Sequence, residues 1–129
     1  MTVGNWSRFI TPYNESEVRK HAPISAGVYT LWVNYKSGKW ECFYVGKADN
    51  LESRLLGHLQ PEEPNECIKG NVKYKCGFMW IEITTEEERS GAEKYLYDTL
   101  KPECNQNDPG GKPLKIPQPP TPPATTPSN

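Results

Sequence analysis

Apolar positions along the chain fall into short blocks of distinct period. GVYTLWVNY (27–35) is rich in β-branched and aromatic residues, and WECFYVG (40–46) has the same character, so both read as strands. KSGK lies between them and supplies a turn around Ser37-Gly38, making a hairpin. YKCGFMWIEI (74–83) is apolar at odd and even positions alike, which predicts a central strand covered on both faces. Asn14 and Glu17 stand in capping-box positions before a short helix that runs to His21. Asp49-Asn50 offers an N-cap for a helix over 51–60, where Leu51, Leu55 and Leu59 recur at i, i+4. Thr85 and Glu88 form a second capping box before the longest helix, 86–100, which Pro102 ends. PEEPNECIKGN reads as a loop. The order is α-β-β-α-β-α. It predicts a small α/β (α+β) domain with a three-stranded, mostly antiparallel sheet flanked by helices.

Composition sets the limits. The 129 residues suit one domain, expected over 1–107. From Asp108 the chain is Pro-, Gly- and Thr-rich with almost no apolar content, so 108–129 is expected to be a disordered or polyproline-like tail. Its net charge of −1 does not announce a nucleic-acid binder, although a total can hide a basic patch. The four cysteines form no CxxC pair and predict reduced thiols, with a zinc site at Cys67, Cys76, Cys104 and a histidine as the alternative. Neither a signal peptide nor a membrane-spanning run is visible, which predicts a cytoplasmic protein with no membrane partner.

Spacing then gathers polar residues at one corner. A two-residue turn at Ser37-Gly38 sets Tyr35 opposite Trp40, Val33 opposite Cys42 and Leu31 opposite Tyr44. Tyr29 and Tyr44 then share a sheet face one diagonal step apart. On the next helix Arg54 and His58 form an i, i+4 stripe roughly 60° from the leucines, at the border of buried and wet. Glu93 lies three residues before Leu96 and seven before Leu100, a carboxylate on the side meant for the core.

GVY (27–29), YVGKADNLESRLLGH (44–58) and GAEKYLYDTLKPECN (91–105) together resemble the GIY-YIG nuclease domain family, in the form seen in excision-repair and homing endonucleases. Val28 and Val45 stand where that pattern has isoleucine. The resemblance implies a divalent-metal-dependent endonuclease that hydrolyses DNA one strand per active site, leaving 5′-phosphate and 3′-hydroxyl ends. Tyr29 would be the general base, assisted by Tyr44, with Arg54 and Lys47 favouring its phenolate. Arg54 would clamp the scissile phosphate, Lys47 would add charge, and His58 would bond a tyrosine or a phosphate oxygen. Glu93 would be the one protein ligand of a Mg²⁺ or Mn²⁺ ion. Gly27, Gly46 and Asn105 would be structural.

Plainer readings stand beside these: core tyrosines, an Arg54 paired with Glu52 or Asp49, and a Glu93 paired with Arg89. A catalytically inactive module serving as a nucleic-acid or protein adaptor is the alternative function. DNA is the expected partner, with a dimer or second protein supplying affinity, and Lys47, Arg54, Lys73 and Lys75 a path for its backbone. Repair, mobile-element movement and defence all stay open.

Overall fold

A computed structural model describes residues 3–35 and 38–122. Its elements are β1 (Val3–Trp6), α1 (Glu15–His21), β2 (Gly27–Asn34), β3 (Glu41–Ala48), α2 (Leu51–Gly57), α3 (Glu66–Asn71), β4 (Lys75–Ile83) and α4 (Glu86–Leu100). All strand pairs are antiparallel, in the order β1-β4-β2-β3, so β4 is central as its two-faced apolar pattern requires. The caps act as the sequence predicts: Asn14, Asn50 and Thr85 accept the backbone N–H groups of Glu17, Ser53 and Glu88.

Alternation along the strands makes two cores. Tyr29, Leu31, Val33, Phe43 and Phe78 meet Val18 of α1, Leu51 and Leu55 of α2 and Ile68 of α3 on one face. Val28, Val45, Ile81 and Ile83 meet Ala92 and Leu96 of α4 on the other.

The structure corrects several expectations. The sheet has four strands, because the four-residue segment VGNW pairs with the end of β4; it is too short to show a period. The expected loop contains α3, a six-residue helix capped by Asn65. The hairpin register holds at Leu31↔Tyr44 but shifts by one beyond it, giving Trp32↔Cys42 and Val33↔Glu41. Phe43 is the extra residue of this bulge, so Phe43 and Tyr44, though consecutive, both pack on the α1–α3 face. Of the turn residues, Lys36 and Ser37 lie outside the described residues. Lys75 sits opposite Asn34 while Lys47 sits opposite Val28, at the other end of the sheet, so no continuous track joins them.

The thiols and the tail also depart from expectation. Cys67 and Cys104 form a disulfide that ties α3 to the segment after α4, while Cys42 and Cys76 stay free. Among the described residues no group of three metal-ligating side chains exists, so the zinc alternative falls. Residues 108–122 form no helix or strand, yet they pack. Ile116 is only 5% exposed within the α4-side core. Leu114 N–H donates to Gly91 C=O at 2.9 Å, and Trp6 Nε1–H donates to Pro117 C=O at 2.7 Å. At Gly91 a Cβ would stand 2.8 Å from that of Leu114, so the missing side chain admits the strap. Two apolar side chains set on a preformed helix face suffice; the segment needs no core of its own. The rest of the tail, 123–129, lies outside the described residues. Among the described residues no helix is long and apolar enough to cross a membrane.

Candidate active site

The hairpin supplies two tyrosines. Tyr29 pairs with Gly46 across the strands, and its ring lies over that glycine: a Cβ there would come within 2.3 Å of the Tyr29 hydroxyl. Tyr44, in register opposite Leu31, places its ring centroid 6.1 Å from that of Tyr29. Asn105 holds this edge of the sheet, its side chain accepting from Val45 N–H at 2.9 Å and donating to Val45 C=O at 2.8 Å.

α2 brings the next two groups. Its start is pinned by Leu51 N–H to Ser25 C=O and Glu52 N–H to Pro23 C=O, and Leu51 and Leu55 are fully buried. The adjacent stripe then projects Arg54 and His58 toward the tyrosines, with His58 at the helix C-terminus and only 1% exposed. His58 Nε2 lies 2.6 Å from the Tyr29 hydroxyl. Its other ring nitrogen, Nδ1, faces Glu63 Oε1 at 3.2 Å; the approach suits an ion pair but is poorly aligned for a neutral hydrogen bond.

Electrostatics follow from burial. Burial drives the Tyr29 hydroxyl pKa well above the usual tyrosine range, with Tyr44 adding and Arg54 opposing. Tyr44 shifts upward for the same first reason, again opposed by Arg54. The expected resting phenolate is therefore not what this pocket favours. Burial works against the Arg54 charge, but the two tyrosine oxygens outweigh it and hold its pKa above the ordinary value. Burial, then Arg54, lowers the His58 pKa to about 4 against the pull of Glu63, so the ring is neutral at pH 7.

α4 contributes Glu93, half-buried, whose charge is felt by both tyrosines. Burial raises its pKa, Lys47 opposes, and Glu86 adds to the rise. Arg89 is not its partner: that guanidinium is spent on Asp49, Glu86 and the carbonyls of Ile83 and Thr84. The same contacts remove Asp49 as the partner of Arg54. Lys47 departs from its expected place. It follows Gly46 on the opposite sheet face, where Glu86 at 2.5 Å and Ser90 at 2.8 Å hold its ammonium against α4. Tyr29, Tyr44, Arg54 and His58 are thus brought together, Glu93 approaches from a second element, and Lys47 stands beside Glu93 rather than the tyrosines. The sequence reading missed Glu63. Nothing in its spacing marked it, and only the Pro61 and Pro64 that flank its loop hinted at a fixed turn.

No protein-family model matches the sequence. The chain is 33% identical over 86 residues to UvrABC system protein C of Aquifex aeolicus and 30% identical over 83 residues to that of Paramagnetospirillum magneticum, covering 67% and 64% of this chain. The matched segment spans only 14% and 13% of those relatives. The fold is similar to the GIY-YIG N-terminal endonuclease domain of UvrC from Thermotoga maritima, with a TM-score of 0.52 at 26% identity, covering 70% of this chain and 96% of that one. A further structure of that domain, bound to magnesium as its catalytic divalent cation, gives a TM-score of 0.51 at 27% identity and covers 68% of this chain and 94% of that one.

Proposed function

The chain belongs to the GIY-YIG nuclease domain family, and from that premise we propose that it is a divalent-metal-dependent endonuclease acting on DNA. The observation that carries the proposal is the convergence of Tyr29, Tyr44, Arg54 and His58 on one face, with the half-buried Glu93 near enough for its charge to act on the same tyrosines. Glu93 suits a cation: its charge is disfavoured by burial and neither Arg89 nor Lys47 is paired with it. A hydrated Mg²⁺ or Mn²⁺, one per site, would be held there and would offset charge on the leaving 3′ oxygen.

The protein's own groups do the rest. Arg54 is exposed enough to swing its planar fork onto a phosphate, which uncovers the Tyr29 hydroxyl beneath it. Because burial opposes a phenolate, Tyr29 works as a relay. It takes a proton from the attacking water while passing its own to the neutral His58 Nε2, 2.6 Å away. Tyr44 orients the water. The water oxygen bonds to phosphorus as the bond to the 3′ oxygen breaks, leaving a 5′-phosphate and, after protonation by solvent, a 3′-hydroxyl. Lys47 pairs with Glu86 and so offsets one of the acids of α4.

With a net charge of −1, the chain draws DNA affinity from a second copy or a partner protein. The matches to UvrABC system proteins favour DNA repair among the settings left open. This reading keeps the protein with its DNA in the cytoplasm, a compartment whose reductants work against the Cys67–Cys104 bond. The test is cleavage of end-labelled single-stranded, duplex, flap and branched DNA with Mg²⁺ or Mn²⁺, followed by DNA ligase. Nicks sealed without a kinase support the stated ends. No cleavage of any substrate favours the adaptor reading.

A further inference from the structure

We infer that Glu63 is a positioning residue for the reaction: it fixes the ring proton of His58 on Nδ1, leaving Nε2 bare to receive the proton of Tyr29. The inference rests on the nuclease reading above and adds a group to it. A carboxylate is seldom buried without a partner, and Glu63 is only 7% exposed. Its Oε1 lies 3.2 Å from His58 Nδ1, and the side chain of His58 is itself fully covered. The opposite ring nitrogen is the one that meets Tyr29, at 2.6 Å. Tyr29, His58 and Glu63 therefore form one line from the catalytic face into the interior.

The loop that carries Glu63 is built to hold it. Glu63 N–H donates to Gln60 C=O at 3.1 Å. Two residues on, Asn65 caps α3 and also donates to Cys104 C=O at 2.9 Å. The Cys67–Cys104 disulfide closes the same junction. The chemistry of the line is asymmetric. A carboxylate offers no proton, so although the pair is not aligned as a hydrogen bond, its negative charge beside Nδ1 favours the imidazole tautomer that carries its proton there. When Tyr29 takes a proton from water, its own proton moves to Nε2. The imidazolium so formed is met by a negative charge at Nδ1, across the 3.2 Å ion-pair distance that suits it better than the neutral ring. The proton returns from Nε2 through Tyr29 to solvent once product leaves, so the line resets without a co-reactant.

Two measurements on the full chain test this. The first is ¹⁵N NMR of the His58 ring in wild-type protein, free of metal and DNA. The expected result is a neutral ring protonated on Nδ1; a ring protonated on Nε2 overturns the inference whatever the nuclease activity. The second is steady-state cleavage by Glu63→Gln and Glu63→Asp, each checked for a wild-type-like melting temperature. Glu63→Gln is expected to lower kcat about 10- to 100-fold with KM for DNA within about twofold, as supporting groups behind a catalytic histidine do. Glu63→Asp, which keeps the charge, is expected to recover part of that loss. An unchanged kcat in Glu63→Gln, or equal losses in Gln and Asp, overturns the inference. A wild type that cleaves nothing but carries the Nδ1–H ring overturns the nuclease reading alone and leaves the hold of Glu63 on the ring standing.

Discussion

Replacing Gly46 by alanine adds one methyl group at the most crowded point of the site. The new Cβ would stand 2.3 Å from the Tyr29 hydroxyl oxygen and 2.4 Å from Cζ, against 3.4 Å or more in ordinary contact. Either β3 or the ring must therefore retreat by about 1 Å, the difference between those distances. The ring has nowhere to go: Tyr29 is 0% exposed, and its hydroxyl is fixed by His58 at 2.6 Å. β3 is held by Asn105 on both backbone groups of Val45. Overpacking costs about 1–3 kcal/mol and the strained hydrogen bond about 1 more, so Gly46→Ala should lose about 2–4 kcal/mol. For a domain of this size that is a fall in Tm of roughly 10 °C. A shift of about 1 Å at the tyrosine hydroxyl should also cost about 100-fold in cleavage rate. Urea denaturation and thermal melting measure the first effect, and DNA cleavage at a temperature where both proteins stay folded measures the second. A double-mutant cycle isolates the cause. Tyr29→Leu lacks all three atoms the new Cβ would strike, so in that background Gly46→Ala should cost under about 1 kcal/mol. Wild-type stability and activity in Gly46→Ala, or an equal cost in the Tyr29→Leu background, would refute the reasoning.

Three further predictions follow from the electrostatics and the strap. Burial raises the Glu93 pKa, so its charge costs stability above the unfolded carboxylate pKa and the cost fades as pH falls. Glu93→Gln should thus melt at or above the wild-type temperature without metal, yet bind Mn²⁺ at least about tenfold more weakly by calorimetry. His58 has the opposite sign: its folded pKa of about 4 lies below the unfolded value near 6.5. The stabilisation is complete above about pH 6.5 and is lost as pH falls through about 4, at most about 3 kcal/mol, and urea titrations in His58→Gln should show that part of the acid slope removed. Truncation after Asn107 removes the buried Ile116 and the Trp6–Pro117 hydrogen bond and should lower stability by about 2–4 kcal/mol in urea; an unchanged midpoint would mean the strap does not bind.

What could be read in the sequence was whatever depends on neighbours along the chain. Asn14, Asn50 and Thr85 announce their helices because a cap acts within three residues. The Leu51–Leu55 stripe announces which side of α2 is buried, and so where Arg54 and His58 border it. The diagonal of Tyr29 and Tyr44 survived because the bulge lies beyond Leu31↔Tyr44 and leaves the active end of the hairpin in register. Contacts made by distant segments were hidden. VGNW becomes a strand only because β4 offers it an edge. The strap at Leu114 and Ile116 needs Gly91, more than twenty residues upstream, to admit it. Lys47 looked like a partner of the tyrosines until α4 presented Glu86 and Ser90 on the other face. Burial reversed one inference outright: Arg54 does favour a phenolate, but loss of water around Tyr29 outweighs it.

The central claim is that this corner hydrolyses a phosphodiester. Supercoiled plasmid incubated with the full chain and Mg²⁺ or Mn²⁺ tests it most directly, with Arg54→Ala, Glu93→Gln and EDTA in parallel. Open-circle product is expected from the wild type, with a loss of at least about 100-fold in each of the three comparisons. Nicking that continues in Arg54→Ala or in EDTA would contradict the claim.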